Sequence, residues 1–187
     1  MYQITTERPE DAAAIDQLLD QAFGANRMSK ISYRFREDTA PLADLRLVAR
    51  CDAAGRVVGT LRFWPVTIGP IEKSGGTPAL LLGPLAVARD WRGQGIGGAL
   101  MRQGLDMAAW ARHRIVVLVG DLAYYRRFGF QPATPLGLVM LGETPQRLLV
   151  RELAHGALAD MKGLVQPLIA QPGRSVRRAA PRHARAA

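Results

Sequence analysis

The segment "PALLLGPLAV" (78–87) constrains the fold more than any other stretch of the chain. It is apolar on both faces over a strand's length, which places it inside a sheet covered on both sides. Yet it contains Gly83-Pro84. Proline offers no N–H to a ladder, so a central strand that carries one must be broken there by a bulge or must splay from a neighbour.

The flanking sequence supplies the rest of that sheet. "LRLVARC" (45–51) and "RVVGTLRFWPVTIG" (56–69) are β-branched and alternating, and the Asp52–Gly55 turn chemistry between them predicts a hairpin. "YQITT" (2–6) reads as a first strand. Pro9, Glu10 and Asp11 suit a helix first turn. Ile15, Leu18, Leu19, Ala22 and Phe23 then fall on one helical face, and Gly24 stops it. "NRMSKISYRFRED" (26–38) reads as a second short helix, either a surface helix with core anchors or the wall of a pocket. Downstream, a helix is predicted from about Gly97 to Arg112, with Leu100, Gly104, Ala108 and Ala111 inward. "RIVVLVGD" (114–121) is a buried strand, and "LAYYRRFGF" (122–130) a short helix ended by Gly129. "LGLVML" (136–141) and "RLLVREL" (147–153) read as closing strands, and "ALADMKGLVQPL" (157–168) as a short helix. The order is that of a mixed α/β domain around one sheet.

Between the apolar strand and the long helix lies "DWRGQGIGGALM". Gly93, Gly95 and Gly98 spell Gly-x-Gly-x-x-Gly, a dinucleotide pattern, with Asp121 available for a ribose hydroxyl. Against that reading, "ARDWR" separates the loop from its strand, a hairpin precedes it, and too little chain follows for a doubly wound domain. Arg92, Gly95 and Gly97 spell a second pattern, Arg-x-x-Gly-x-Gly. Here bare amides opening a helix converge on an anion, with Arg92 at the mouth, and a pyrophosphate is the natural guest. A ligand-free turn packed on the sheet is the plainer alternative, but four glycines there are costly in chain entropy.

"LGPLAVARDWRGQGIGGALM" resembles motif A of the GNAT superfamily of N-acetyltransferases, and "VVLVGDLAYYRRFGFQPA" is similar to the strand, helix and Gly-Phe turn that follow it there. The likeness runs from Leu82 to Ala133, and the ending "GDLAYYRRFGF" resembles a poorly characterised bacterial branch of predicted acetyltransferases. It implies a GNAT-like fold: a mostly antiparallel central sheet with one splayed parallel pair and helices on both faces. It implies that acetyl-CoA is the co-substrate and that no metal is needed. The backbone of Leu85, Ala86 and Val87 would bond the pantetheine arm. The amides of Arg92, Gly93, Gln94, Gly95, Ile96 and Gly97 would hold the pyrophosphate, and "IVVLVG" would be the splayed neighbour.

Acetyl transfer needs a neutral amine, a donor for the developing oxyanion and a proton for the leaving thiolate. By the resemblance the acid is Tyr125, four residues before Gly129. Tyr124 is the adjacent alternative, turned about 100° away on a helix. The resemblance leads one to look for an acid on the central strand, and "LLLGPLAV" has none. A water chain is therefore the expected route for the amine's proton, with the oxyanion donor a backbone amide near Val87. Asp121 reads better as a helix cap than as a base. His113 suits a helix C-terminus. Glu37 and Asp38 could attract a cationic amine but read more simply as a solvated loop, and His155 and His183 have no visible partner. The missing carboxylate keeps open an acyl-CoA-binding sensor without turnover.

The 187-residue chain carries a net charge of +9. One domain (1–171) and a basic, flexible tail (172–187) are expected, because the tail holds Arg174, Arg177, Arg178, Arg182 and Arg185 and little to bury. Arginines without interleaved aromatics are a weak nucleic-acid signal. Cys51 is the only cysteine, so an internal disulfide is excluded. No apolar run spans a bilayer, and the N-terminus does not read as a secretory leader. A cytoplasmic enzyme with a small-molecule or peptide amine acceptor is the expectation, with a homodimer left open.

Overall fold

In the computed structural model, residues 1–37, 39–51, 55–70 and 76–168 are described. The predicted tail, Asp38, His183 and most of the Asp52–Gly55 turn lie outside them. The elements are β1 (Tyr2–Thr6), α1 (Ala12–Phe23), α2 (Ile31–Arg34), β2 (Arg46–Cys51), β3 (Arg56–Gly69) and β4 (Thr77–Val87). They continue with α3 (Ile96–Trp110), β5 (Ile115–Val119), α4 (Leu122–Tyr125), β6 (Gln131–Pro132), β7 (Leu138–Val139), β8 (Leu148–Glu152) and β9 (Gly163–Pro167).

The nine strands among the described residues join one sheet in the order β1-β2-β3-β4-β5-β8-β6, with β9 continuing the β3 edge beyond β2 and β7 alongside β9. Along the main path only β4–β5 is parallel, and it is recorded at two positions, Leu80 with Val116 and Leu81 with Val117. Every other neighbour on that path is antiparallel. Off that path β7 and β9 are also parallel; the sheet is the mostly antiparallel one with a short β4–β5 parallel pair that the resemblance implies, and not a doubly wound dinucleotide fold.

Alternation sorts the side chains into two layers. Leu47, Leu61, Phe63, Leu80 and Val116 share a cluster with Leu100, Met101 and Leu105 of α3. On the other face Val48 meets Ile15, Leu18 and Leu19 of α1. Trp64, Val66, Leu81 and Val117 face Leu138, Met140 and Val165 there. Helices thus cover both faces.

Gly83-Pro84 resolves as a bulge. The β3–β4 register passes from Leu61 opposite Leu85 to Phe63 opposite Leu82, so β4 spends one residue more than β3. An extra residue inverts which side chains point where. Before it, Leu80 and Leu82 face the α3 layer; after it, Leu85 and Val87 do, while Ala86 turns to α1. The carbonyl released at Gly83 accepts the indole N–H of Trp64 at 2.7 Å.

Four readings need correction. Residues 163–167 form β9, not a helix: Gly163 at φ 126° blocks a helical start, and Val165 is buried. "LGLVML" contributes only Leu138–Val139 to a ladder, because a 3₁₀ turn at Thr134–Leu136 and left-handed Gly137 occupy its start. Ala111 is exposed, since α3 ends at Trp110. Phe23 is exposed as well, at the end of α1.

Candidate active site

Past Leu81, β4 no longer pairs with β5, and a cleft of about 700 Å³ opens there. That is the size of a small-ligand site. It is lined by β4 from Leu81 to Val87, by Arg92 and Gly97, by Tyr124 and Tyr125, and by residues 29–33 and Arg36.

The free edge of β4 is readable from one hydrogen bond. Ala88 donates its N–H across to Val58 of β3 at 2.8 Å. Main-chain groups alternate sides along a strand, so those of Val87 and Leu85 point away from β3, toward the cleft, and those of Ala86 toward β3. Arg92 Nε reaches the outward Val87 carbonyl at 3.3 Å.

The glycine-rich turn folds as a helix N-terminus. Gly93 and Gly95 take φ of 81° and 78°, a region that a side chain disfavours, and Gly95 is the left-handed N-cap of α3. Arg92, Gly93, Gln94 and Gly95 are exposed, whereas the Ile96 side chain is buried in the core and leaves only its amide at the turn. At Gly97 a Cβ would lie 3.0 Å from the Tyr124 hydroxyl, so the missing side chain lets that tyrosine reach the start of α3.

Tyr124 and Tyr125 meet edge to face, ring centroids 4.9 Å apart. Tyr125 also packs edge-on against Phe130 at 6.0 Å. Burial pushes the Tyr125 phenol up to about 12, with Tyr124 adding to the rise and Arg147 opposing it. Its hydroxyl is therefore protonated at neutral pH. Asp121 accepts from the Ala123 N–H at 2.9 Å and so caps α4.

Of the residues singled out in the sequence, Leu85, Ala86, Val87, Arg92, Gly97 and Tyr125 line one cleft. Gly93, Gln94, Gly95 and Ile96 form the turn behind them. Glu37 faces a smaller cavity of about 270 Å³, which Trp64 also lines. His113 and His155 line neither. The cleft further contains Tyr33, Arg36, Glu143 and Arg147. Tyr33 and Arg36 belong to a segment that the sequence offers as a pocket wall; nothing local marks Glu143 or Arg147, which lie far along the chain.

Comparison with known proteins agrees with this geometry. The acetyltransferase (GNAT) domain model matches residues 44–132. The uncharacterized N-acetyltransferase YhbS of Escherichia coli K12 is 35% identical over 164 residues, covering 87% of this chain and 94% of that protein. The crystal structure of Escherichia coli YhbS in complex with CoA superposes with a TM-score of 0.76 at 34% identity, over 89% of each chain. A GNAT family acetyltransferase from Brucella melitensis, crystallised with acetyl-CoA, gives 0.63 at 33% identity over 89% of this chain and 95% of that one. Fold and relatives together define an acyl-group transferase. The chain belongs to the GNAT family of N-acetyltransferases.

Among the described residues no cluster of side chains could hold a metal ion, and no helix is long and apolar enough to cross a membrane.

Proposed function

We propose that the protein moves an acetyl group from acetyl-CoA to a primary amine bound in the same cleft, by direct attack of the amine on the thioester. The observation that carries this is the meeting, in one cleft, of an unpaired strand edge, a bare helix N-terminus and a protonated tyrosine. The CoA and acetyl-CoA bound to the two relatives support the choice of donor.

Acetyl-CoA supplies an activated carbonyl and a thiolate leaving group. The chain does the rest. Outward main-chain groups of Leu85 and Val87 bond the pantetheine arm as a neighbouring strand would, with Ala86 as spacer. The amides from Gly93 to Gly97 and the Arg92 guanidinium hold the pyrophosphate. The Val87 region offers the amide for the developing oxyanion. Tyr125 gives its hydroxyl proton to the departing sulfur. A water chain through the open cleft takes the amine's proton, with the carboxylates of Asp121 and Glu143 on its wall.

Titration calorimetry with acetyl-CoA, beside an NAD control, tests the donor site. Micromolar binding of acetyl-CoA alone is expected. Binding of NAD alone, or of neither, overturns the reading.

A further inference from the structure

Arg36 differs from the other buried or half-buried arginines around the cleft. Arg27 is neutralised by Asp20 at 2.6 Å and Asp16 at 3.0 Å. Arg62 is held by both oxygens of Glu7, at 2.7 and 2.9 Å. Arg36 takes part in none of the ion pairs among the described residues. Its Nε and Nη1 are buried with no hydrogen-bond partner. A cation left in that state is costly, and the cost is removed by an anion that fits it.

The side chain is held in place by its surroundings. Its guanidinium carbon stands 4.6 Å from the Tyr33 ring centroid and 5.6 Å from that of Trp64. Tyr33 is in turn fixed by Arg27, which contacts its hydroxyl at 3.5 Å and its ring. The rings offset part of the cation's desolvation and the Tyr33 side chain adds hydrogen bonding and charge attraction, yet Nε and Nη1 keep no partner. Burial pushes the guanidinium down to about 10, against the pull of Tyr33 and aided by Arg62 and Arg27; it remains a cation at neutral pH.

Its position matters as much as its charge. A Cβ on Gly83 would sit 3.2 Å from Arg36 Nη2, so the guanidinium lies against the bulge where β4 leaves β5. Arg36, Tyr33 and Pro84 line both the main cleft and the smaller cavity.

We propose that Arg36 binds a carboxylate carried by the acceptor, which makes the acceptor an amino carboxylate of the α-amino acid type. This rests on the acetyltransferase reading of the cleft. A carboxylate suits one guanidinium: it is planar, singly charged and accepts paired N–H groups. The two arginines whose charges bear on Arg36, Arg27 and Arg62, are already paired, so a phosphate dianion would have to draw its second cation from Lys30 or Arg147 elsewhere on the cleft wall, whereas a carboxylate needs only Arg36. An uncharged amine or a polyamine leaves Arg36 unsatisfied.

The test uses full-length protein saturated with CoA, probed by saturation-transfer NMR with standard L-amino acids and their carboxamides. Carboxylate probes are expected to bind about tenfold or more tightly than the matching carboxamides. Arg36→Gln should abolish that preference with CoA affinity unchanged, and Arg36→Lys should restore part of it. Equal binding of both sets, no binding of carboxylates to the CoA-saturated protein, or a preference that survives Arg36→Gln overturns the carboxylate subsite and leaves the coenzyme site standing. Failure of CoA itself to bind overturns the cleft reading and the proposal with it. Where Arg36→Gln does not fold, the wild-type comparison of carboxylate with carboxamide decides.

Discussion

Gly120 and Tyr125 are packed so closely that only a hydrogen fits on the Gly120 Cα: a Cβ there would overlap ring atom Cε2 and lie 2.8 Å from Cδ2. Gly120 directly follows β5 and Tyr125 ends the one-turn α4, so this contact, with Phe130 on the ring's edge, sets where the phenol points. Gly120→Ala is expected to push the ring out of place. Turnover should fall on the order of 10²-fold, as for a displaced catalytic group, while acetyl-CoA affinity holds. Steady-state kinetics beside calorimetry checks the split; a loss confined to acetyl-CoA binding would assign the glycine to the donor site.

Removing the hydroxyl itself should look similar. Tyr125→Phe is expected to keep acetyl-CoA binding and slow turnover by roughly 10²-fold. Burial pushes this phenol up to about 12, so it sets no alkaline fall in kcat until the pH nears that value. The folded value lies above the unfolded 10.0, so the folded state holds the proton more tightly. Its contribution to stability is complete below pH 10.0 and is lost as pH rises toward about 12. Tyr125→Phe should flatten that alkaline loss, which denaturant titrations across this range would record.

Much of this was legible in the chain. Gly83-Pro84 in an apolar strand forced a break in the ladder, and the structure answers with a bulge that inverts facing from Leu82 to Leu85. The glycine turn, the α3 face through Leu100, Gly104 and Ala108, and Asp121 as a cap follow from local rules. What escaped depends on distant partners. β9 has only Val165 as a buried residue and is a strand because Val66–Gly69 of β3 offers an open edge. Arg36 looks like any surface arginine until Tyr33, Trp64 and Gly83 close around it. Periodicity reports a residue's face, not which distant element covers that face.

The anchor of the N-terminal segment predicts an acid response. Asp11 accepts from the Arg8 N–H at 2.6 Å and from both terminal nitrogens of Arg50. Burial pushes its carboxyl up, but Arg50 and the Arg8 amide outweigh that and hold it below 3.8. A folded pKa below the unfolded value gives stability that is present above pH 3.8 and lost as pH falls through the folded value. Asp11→Asn should remove that part of the acid loss. At neutral pH it should cost about 3 kcal/mol, because Arg50 is left buried and unpaired. Urea unfolding at neutral pH and below pH 3.8 compares the two.

Trp64 joins the bulge to the rest of the sheet. Its ring is buried at 8% exposure and its Nε1 is the donor recorded for the Gly83 carbonyl, at 2.7 Å. Trp64→Phe keeps an aromatic face for Arg36 but leaves that carbonyl unbonded inside the protein. The expected cost is about 1–3 kcal/mol, read as a lower Tm. The carbonyl has a second route to satisfaction, which is to pull Gly83 back toward a regular ladder. That would narrow the opening between β4 and β5 where Leu85 and Val87 face the cleft. Weaker acetyl-CoA binding should therefore accompany the lost stability, and calorimetry on the folded variant measures it. Unchanged affinity with a lowered Tm would mean that the bulge keeps its shape without the indole and that Gly83-Pro84 alone holds the cleft open.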